Sequence, residues 1–348
     1  MAIAYDNATA SGDASGSTTL TFSHTCTGSN LYLIVHIYSQ SGAGATGVTY
    51  NGTAMTRLSA ANDIDEIWGL VNPATGANNV VASRASGTGS FLGGAISYTG
   101  VAQSSSIGNK DSGNYYDEAN KTDSSTTPHR HFTTANDNSI IVVGCWNDGD
   151  TTSDASGTGH TKRWGTTYFT GGKAFGTTKT TTAAGSYQLD FTISSANIVY
   201  CLCVELKELV IVAPTVTTQA GDQITSTGFR GNGNITATGG ANATRRGFCY
   251  KAASSGDPTT SDSTAYDDGS FGTGAYTKAI SGLSSGTNYR VRAYAVNSAG
   301  TAYGSTVNVE TSSSGPANVK TYKGLAASFV KSKKGLVIAS IKSAKGLN

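Results

Sequence analysis

Apolar residues in this chain occur in short runs that are separated by Gly, Asn, Asp and Ser. Short apolar runs between turn residues are typical of β-strands joined by tight loops. The pattern predicts strands over residues 17–22, 31–38, 48–50, 66–71, 79–83, 94–98, 139–145, 187–193 and 198–206. The three longest apolar runs, 31–38, 139–145 and 198–206, are expected to form the centres of two facing sheets. We therefore predict an all-β chain that begins with a jelly-roll-like β-sandwich over residues 1–210.

Two further patterns refine this first unit. Asn51-Gly52 lies between two strand-like runs, and both residues tolerate a positive φ, so the pair predicts a hairpin turn. Residues 104–138 are polar and lack periodicity, so they are predicted to form a long surface excursion.

This unit also resembles a β-sandwich domain that recurs in phage tail and bacterial surface proteins. The matching segments are residues 47–56, 66–76, 94–101 and 204–207. The resemblance implies a setting on a virion or a bacterial surface and implies no chemistry.

A second unit is predicted to begin at Pro214. Residues 283–300 resemble strand F of a fibronectin type III domain with its preceding corner. The resemblance extends over residues 213–312. No ligand carries over with it, because the integrin-type Arg-Gly-Asp motif is absent: Arg230-Gly231 is followed by Asn232. It implies that Leu283 packs inward, that Tyr289 forms the corner, and that one strand alternates between Val291, Ala293 and Ala295 inside and Arg290, Arg292 and Tyr294 outside.

The last residues, 317–348, repeat with a period of 11. Lysine, glycine and leucine recur in register at Lys320, Lys331 and Lys342, at Gly324, Gly335 and Gly346, and at Leu325, Leu336 and Leu347. Each repeat combines a strand-prone run with a three-residue turn that contains glycine, which favours a small β-meander over a helix. A ribbon of two or three strands is marginal alone in water. We therefore predict a tail for assembly or attachment, its strands paired within one chain or shared between copies.

Composition supports the all-β prediction. Of 348 residues only 13% are charged, and 44 are glycine. The net charge of +2 is unevenly distributed, because the tail holds seven lysines and no acid, which leaves the rest with 17 basic and 22 acidic residues. The tail lysines alternate with apolar residues, so we expect edge protection and solubility rather than nucleic-acid binding.

The cysteines and the chain start indicate a compartment. Five cysteines, an odd number, include Cys201 and Cys203 on one face of a predicted strand, so buried free thiols and synthesis in a reducing compartment are expected. The first residues show no secretory signal, and the chain has no run of 18 apolar residues. We expect a protein made in a host cytoplasm and released in a virion, with an extracellular protein as the alternative.

Motifs for catalysis or cofactors are weak. Residues 42–47 match G-x-G-x-x-G, but a hairpin follows where a dinucleotide site needs a helix. Asp63, Asp65 and Glu66 could imitate a glycosidase carboxylate pair, and His129 with His131 lack a third metal ligand. Asn147, Asp148, Asp150 and Asp154 could hold a structural Ca²⁺, although they lack the spacing of an EF-hand. We expect no catalytic activity and no other cofactor.

Aromatic rings in the polar loops are better candidates for contact with a partner. Flat rings with polar neighbours stack on sugars or anchor protein contacts, although core packing explains such rings equally well. The candidates are Tyr115, Tyr116, Trp164 and Tyr168. The sequence thus predicts a phage virion structural protein, a fibre, decoration or adhesion subunit, that contacts copies of itself, other virion proteins or a host-surface glycan. A secreted adhesin or carbohydrate-binding module is the alternative.

Overall fold

A computed structural model describes residues 2–40, 44–61, 64–111, 128–147, 159–167, 172–192, 199–252 and 256–314. The chain divides into two compact units, Met1–Val212 with Gly239–Ala241 (unit 1) and Ala213–Thr238 with Asn242–Asn348 (unit 2). Over the described ranges every regular element is a strand, which confirms the predicted all-β class. Those ranges contain no helix of the length and hydropathy that a membrane span requires.

Unit 1 consists of sixteen strands within its described residues, all paired antiparallel. They are β1 (Ala4–Ala10), β2 (Thr19–Cys26), β3 (Tyr32–Ser39), β4 (Ala45–Tyr50), β5 (Thr53–Ala54), β6 (Thr56–Ala61), β7 (Asp65–Val71), β8 (Gly76–Arg84), β9 (Phe91–Thr99), β10 (Ile107–Lys110), β11 (His129–Thr134), β12 (Ile140–Asn147), β13 (Thr161–Thr167), β14 (Lys173–Thr180), β15 (Gly185–Asp190) and β16 (Val199–Leu206).

These strands form four sheets in the described part of unit 1. Sheet I has the order β2-β8-β4-β5, and sheet II has the order β1-β9-β3-β7-β6. Sheet III has the order β10-β16-β12-β14-β13, and sheet IV pairs β11 with β15. Three separate apolar cores lie between I and II, between II and III, and between III and IV, so the sheets stack in numerical order.

The two inner sheets are covered on both faces. On β3, Leu33 and Val35 pack toward sheet I, whereas Ile34 and Tyr38 pack toward sheet III. Every residue of β3 and of β12 is buried. A strand that is covered on both faces needs apolar residues at both alternating positions, which is why these runs are apolar almost throughout.

Several sequence predictions for unit 1 can be compared with this arrangement. The three long runs do form the centres of two facing sheets, since β3 is central in sheet II and β12 and β16 are central in sheet III. Sheets I and IV add two layers beyond the two of a jelly roll. The Asn51-Gly52 turn is confirmed, with φ values of 48° and 74° between β4 and β5.

The prediction of a surface excursion over residues 104–138 is wrong at both ends. β10 pairs with β16, and β11 pairs with β15. β11 alternates between exposed and buried residues, but its buried positions include Arg130 and Thr134, so an apolar period is missing from the sequence. Residues 112–127 lie outside the described ranges.

Unit 2 is a smaller sandwich. Its strands are β17 (Thr215–Asp222), β18 (Gly228–Ala237), β19 (Ala243–Ala252), β20 (Ser263–Phe271), β21 (Gly274–Ser281), β22 (Asn288–Asn297), β23 (Gly300–Tyr303) and β24 (Val307–Glu310). One sheet has the order β17-β18-β21, and the other has the order β20-β19-β22, with β23 and β24 both pairing β22. A three-stranded sheet packed on the β20-β19-β22-β23 sheet matches the two-sheet sandwich that the fibronectin type III resemblance predicts.

The corner of unit 2 also matches that fold. Val291, Ala293 and Ala295 are buried, and Leu283 and Tyr289 belong to the same core. The backbone N–H of Ser284 donates to the Tyr289 hydroxyl at 3.0 Å, which fixes the chain as it enters β22. The predicted fibronectin type III-like sandwich is thereby confirmed.

Candidate functional site

The outer side of the β20-β19-β22-β23 sheet of unit 2 carries a group of stacked arginine and tyrosine side chains. Cross-strand pairing places Tyr266 opposite Gly247, Gly247 opposite Tyr294, and Tyr294 opposite Tyr303. Neighbours in register on antiparallel strands share one face. We call this surface, formed by Tyr266, Tyr294 and Tyr303 with Arg245 and Arg292, the aromatic face.

Each arginine of the aromatic face lies over a tyrosine ring. The Arg245 guanidinium carbon is 4.0 Å from the Tyr266 ring centroid, and that of Arg292 is 4.7 Å from the Tyr303 centroid. The Tyr294 and Tyr303 rings are 6.3 Å apart at 43°. Cation–π stacking favours these side-chain positions over other rotamers, which lowers the entropy that a ligand has to remove on binding.

A depression of about 230 Å³ lies in this face. It is lined by Arg245, Thr260, Thr264, Tyr294, Val296 and Thr301. The Tyr303 hydroxyl is held by Thr260, whose Oγ1 lies 2.9 Å away and whose backbone N–H donates at 3.2 Å. The rim is therefore fixed by hydrogen bonds as well as by stacking.

Gly247 of β19 determines how closely Tyr266 of the neighbouring strand β20 can approach it. A Cβ added at Gly247 would come within 2.3 Å of the Ala265 carbonyl oxygen and 2.6 Å of the Tyr266 Cβ. Such distances require the backbone to move. Glycine is therefore needed at this position for the observed arrangement of the aromatic face.

Carboxylates neutralise much of the positive charge around the aromatic face. Arg245 pairs with Asp268 through two contacts, of 2.6 and 3.1 Å. Arg290 pairs with Asp257 at 2.5 Å. Surface ion pairs like these add little stability, but they leave a small net charge. The face therefore suits a neutral, hydroxyl-rich ligand better than a polyanion.

The Tyr294 phenol stays protonated at neutral pH. Burial raises the pKa of Tyr294 to about 12. Tyr294 is 1% exposed even though it points outward, because its neighbours cover the ring. Tyr266 is 40% exposed and is the ring that a ligand meets first.

The structure corrects one predicted contact residue and leaves others undescribed. Trp164 is 5% exposed and lies in the core between sheets II and III, with its ring against the backbones of Gly94 and Gly176. A ring enclosed by two backbones has no free face for a sugar, so the prediction of a surface contact at Trp164 is wrong. Predicted contact and tail residues outside the described ranges are Tyr115, Tyr116, Tyr168, Lys320, Gly324, Leu325, Lys331, Gly335, Leu336, Lys342, Gly346 and Leu347.

The acidic residues of β7 do not form an open carboxylate pair. Asp65 and Glu66 are successive residues, so they point to opposite faces of the strand, and both are buried. Asp65 bonds to His36, and Glu66 accepts from Arg57 and Trp68, each at 3.0 Å. Both carboxylates are held by partners inside the protein and take part in packing.

Other candidate motifs are also placed by the structure. His129 and His131 share the exposed face of β11, with their ring centroids 6.1 Å apart. Among described residues no cluster of three His, Cys, Asp or Glu side chains could hold a metal. Gly47 of the glycine motif lies in β4, so a strand stands where a dinucleotide site requires a helix. The proposed Ca²⁺ loop after Asn147 lies outside the described ranges.

One Ser–His–Asp group does occur, but its order differs from that of a catalytic triad. His24 Nε2 lies 3.1 Å from Ser97 Oγ, and Ser97 Oγ donates to Asp6 at 2.6 Å. In a triad the carboxylate orients the histidine, whereas here it accepts from the serine. Ser97 is fully buried, so the group has a structural role.

Sequence reasoning placed Arg292 and Tyr294 outward but missed the aromatic face itself. The available signal was an outward Arg-x-Arg-x-Tyr pattern on β22. Tyr266 and Tyr303 are separated from each other by more than thirty residues, and only the strand order of the sheet brings them together.

The comparisons with known proteins found distant structural neighbours. No family model matches the chain, and no curated protein matches it. A crystal structure of the FN1-FN3 domains of chicken CNTN1 covers 88% of this chain and 99% of its own, with 11% identity and a TM-score of 0.23. A crystal structure of titin domains covers 90% and 99%, with 13% identity and a TM-score of 0.20. Likenesses of this size do not establish a shared fold, so the fold assignment rests on the strand order.

Proposed function

We propose that this protein is a structural and adhesive subunit of a phage virion, and that it acts by assembly and surface binding without catalytic turnover. The observation that carries the binding part is the aromatic face, where stacked rings, hydroxyls and paired charges surround a depression. The virion setting is supported by the resemblance of unit 1 to phage tail and bacterial surface domains. The 11-residue repeats support contact with copies of itself or with other virion proteins.

The ligand that fits this face is a glycan of the host surface. An exposed tyrosine ring offers a flat apolar surface for the C–H face of a sugar, and threonine hydroxyls offer both donors and acceptors. Arg245 and Arg290 of this sheet are paired with Asp268 and Asp257, so little uncompensated positive charge is left for the phosphates of a nucleic acid. Binding through one shallow depression is weak, so several copies joined by the tail would add avidity.

The binding test uses two tyrosines of nearly equal exposure. Tyr266→Ala removes the exposed ring of the aromatic face, whereas Tyr5→Ala removes a 41% exposed ring in unit 1 that also stacks on an arginine, Arg163. Titration of purified bacterial surface polysaccharide into each protein is expected to give a Kd at least about tenfold weaker for Tyr266→Ala, which corresponds to roughly 1.4 kcal/mol. Equal affinities for the two variants would reject the aromatic face as the glycan site.

The assembly and setting need separate measurements. Light scattering should give a defined oligomer for the intact chain and a monomer for a chain that ends at Ser314. If the intact chain and the shortened chain are both monomers, the alternative of a secreted adhesin or carbohydrate-binding module is favoured. Mass spectrometry of purified virions should detect the chain, and its absence there would reject the virion assignment.

A further inference from the structure

Three of the five cysteines lie together on the side of sheet III that faces sheet IV. Cys145 belongs to β12, and Cys201 and Cys203 belong to the neighbouring strand β16. All three are at most 1% exposed and are part of the core beneath sheet IV. The predicted burial of the cysteines is confirmed at every one of them.

Strand register singles out one pair within this cluster. Cys145 lies directly opposite Cys201, and their Sγ atoms are 3.1 Å apart. Cys203 lies opposite Val143, so it has no thiol across from it. Directly opposed residues of antiparallel strands have Cα atoms about 4.5–5.5 Å apart, which is within the range that a disulfide spans. The two sulfurs need to approach by only about 1 Å to reach bonding distance.

Polar groups beside the thiols hold β16, the strand that carries Cys201 and Cys203. Arg130 is buried, pairs with Asp111 at 2.6 Å, and donates to the Cys201 carbonyl oxygen. Asp111 in turn accepts from the backbone N–H of Cys203 at 2.7 Å. The ion pair thus holds the backbone of β16 on its β10 side, away from β12 and Cys145.

We propose that Cys145 and Cys201 are a site of covalent modification, at which a cross-strand disulfide forms by exchange with a low-molecular-weight disulfide such as oxidised glutathione. The Cys145 thiolate attacks one glutathione sulfur and releases one reduced glutathione. The Cys201 thiolate then attacks the Cys145 sulfur and displaces the second. The protein loses two electrons and two protons, and these convert one oxidised glutathione into two reduced molecules.

The folded protein protects this pair. Burial raises the pKa of the Cys145 thiol well above its usual value, so little thiolate forms, and the side chains of sheet IV cover both sulfurs. Exchange therefore takes place while unit 1 folds, or when β11 and β15 separate from sheet III. A chain made in a reducing cytoplasm would acquire the bond after it leaves the cell. This inference does not depend on the proposed function.

The test removes the access barrier by refolding. The full chain is unfolded in denaturant, refolded in a buffer of reduced and oxidised glutathione, alkylated, and digested without reduction for mass spectrometry. We expect a Cys145–Cys201 linkage and three alkylated cysteines, Cys26, Cys203 and Cys249. About 55 residues lie between the linked positions. Closing that loop should raise the Tm of unit 1 by roughly 10 °C over the reduced protein.

Matched variants separate this pair from its neighbour. Cys203→Ser should keep the linkage and the Tm difference, whereas Cys145→Ala and Cys201→Ala should lose both. Five alkylated cysteines in the refolded wild-type protein, or a linkage that includes Cys203, would overturn the proposal. The wild-type result alone decides it even where a variant does not fold.

Discussion

Glu205 is a fully buried carboxylate whose two oxygens are both occupied by donors. One oxygen, Oε2, accepts from the backbone N–H groups of Asn109 at 2.7 Å and Ala135 at 3.0 Å. The other, Oε1, accepts from the backbone N–H and the side-chain amide of Asn136 at 2.9 and 3.1 Å. Glu205 thereby joins the loop after β11 and the strand β10 to the centre of sheet III.

Glu205→Gln tests this role with almost no change in volume. The glutamine amide keeps one oxygen as an acceptor and has an NH₂ group in place of the other oxygen. That NH₂ group must face two N–H donors, from which it cannot accept a hydrogen bond. Each buried donor that is left unpaired costs about 1–3 kcal/mol, so two lost acceptor contacts should lower the free energy of unfolding by about 2–6 kcal/mol. Glu208→Gln is the matched control, because this half-exposed glutamate lies three residues away. Because its side chain is half-exposed, this substitution should change the stability by less than Glu205→Gln does.

Tryptophan fluorescence isolates the relevant unit. The three tryptophans of the chain, Trp68, Trp146 and Trp164, all lie buried in unit 1. Urea unfolding followed by their emission therefore reports on unit 1 alone. With a slope of about 2 kcal/mol per molar urea, the midpoint of Glu205→Gln should fall by about 1–3 M.

The pH dependence gives a second readout. Burial raises the pKa of Glu205, but the hydrogen bonds from Ala135, Asn109 and Asn136 outweigh burial and hold that pKa below its usual value. A lowered carboxyl pKa stabilises the fold above the unfolded value, near 4.3, and that contribution is lost as the pH falls through the folded value. The gap between wild type and Glu205→Gln should be largest at pH 7 and should narrow below about pH 4. A gap that matches the Glu208→Gln control at pH 7, or that does not change with pH, would refute the reasoning.

Three further predictions follow from buried side chains. Burial lowers the pKa of His24 to about 4, against an opposing effect of Asp6. The free energy of unfolding of unit 1 should therefore fall by on the order of 3 kcal/mol between about pH 6.5 and pH 4. Urea titrations of His24→Gln should not show this loss. Trp164→Ala empties space in the core and should cost about 3–5 kcal/mol by urea unfolding, while glycan affinity of the folded protein stays the same. Tyr289→Phe removes the acceptor for Ser284 and should lower the stability of unit 2 by about 1 kcal/mol, read by calorimetry beside Tyr266→Phe as an exposed control. A pH response retained in His24→Gln, a loss below 1 kcal/mol for Trp164→Ala, or equal values for the two Phe variants would contradict these estimates.

Local pattern predicted the parts of this fold that depend on neighbouring residues. The Asn51-Gly52 turn was predictable, because the backbone conformation that it needs is set by those two residues themselves. The alternation from Tyr289 to Ala295 was predictable for the same kind of reason, since a strand turns successive side chains to opposite faces. By contrast β11 was missed, because its inward positions hold Arg130 and Thr134, whose burial depends on partners elsewhere in the chain.

The sequence by itself determined the all-β class, the long central strands and the corner of unit 2. Only the tertiary structure decided what covers each strand face. The alternation of residues along a strand predicts which of them share a face, but it does not predict whether solvent or another sheet covers that face. For this reason the sequence left surface contact and core packing equally open for Trp164, which is found between two sheets. Tyr266 and Tyr303 form one surface only through the order of four strands. The same holds for Cys145 and Cys201, which are distant in sequence and adjacent in register.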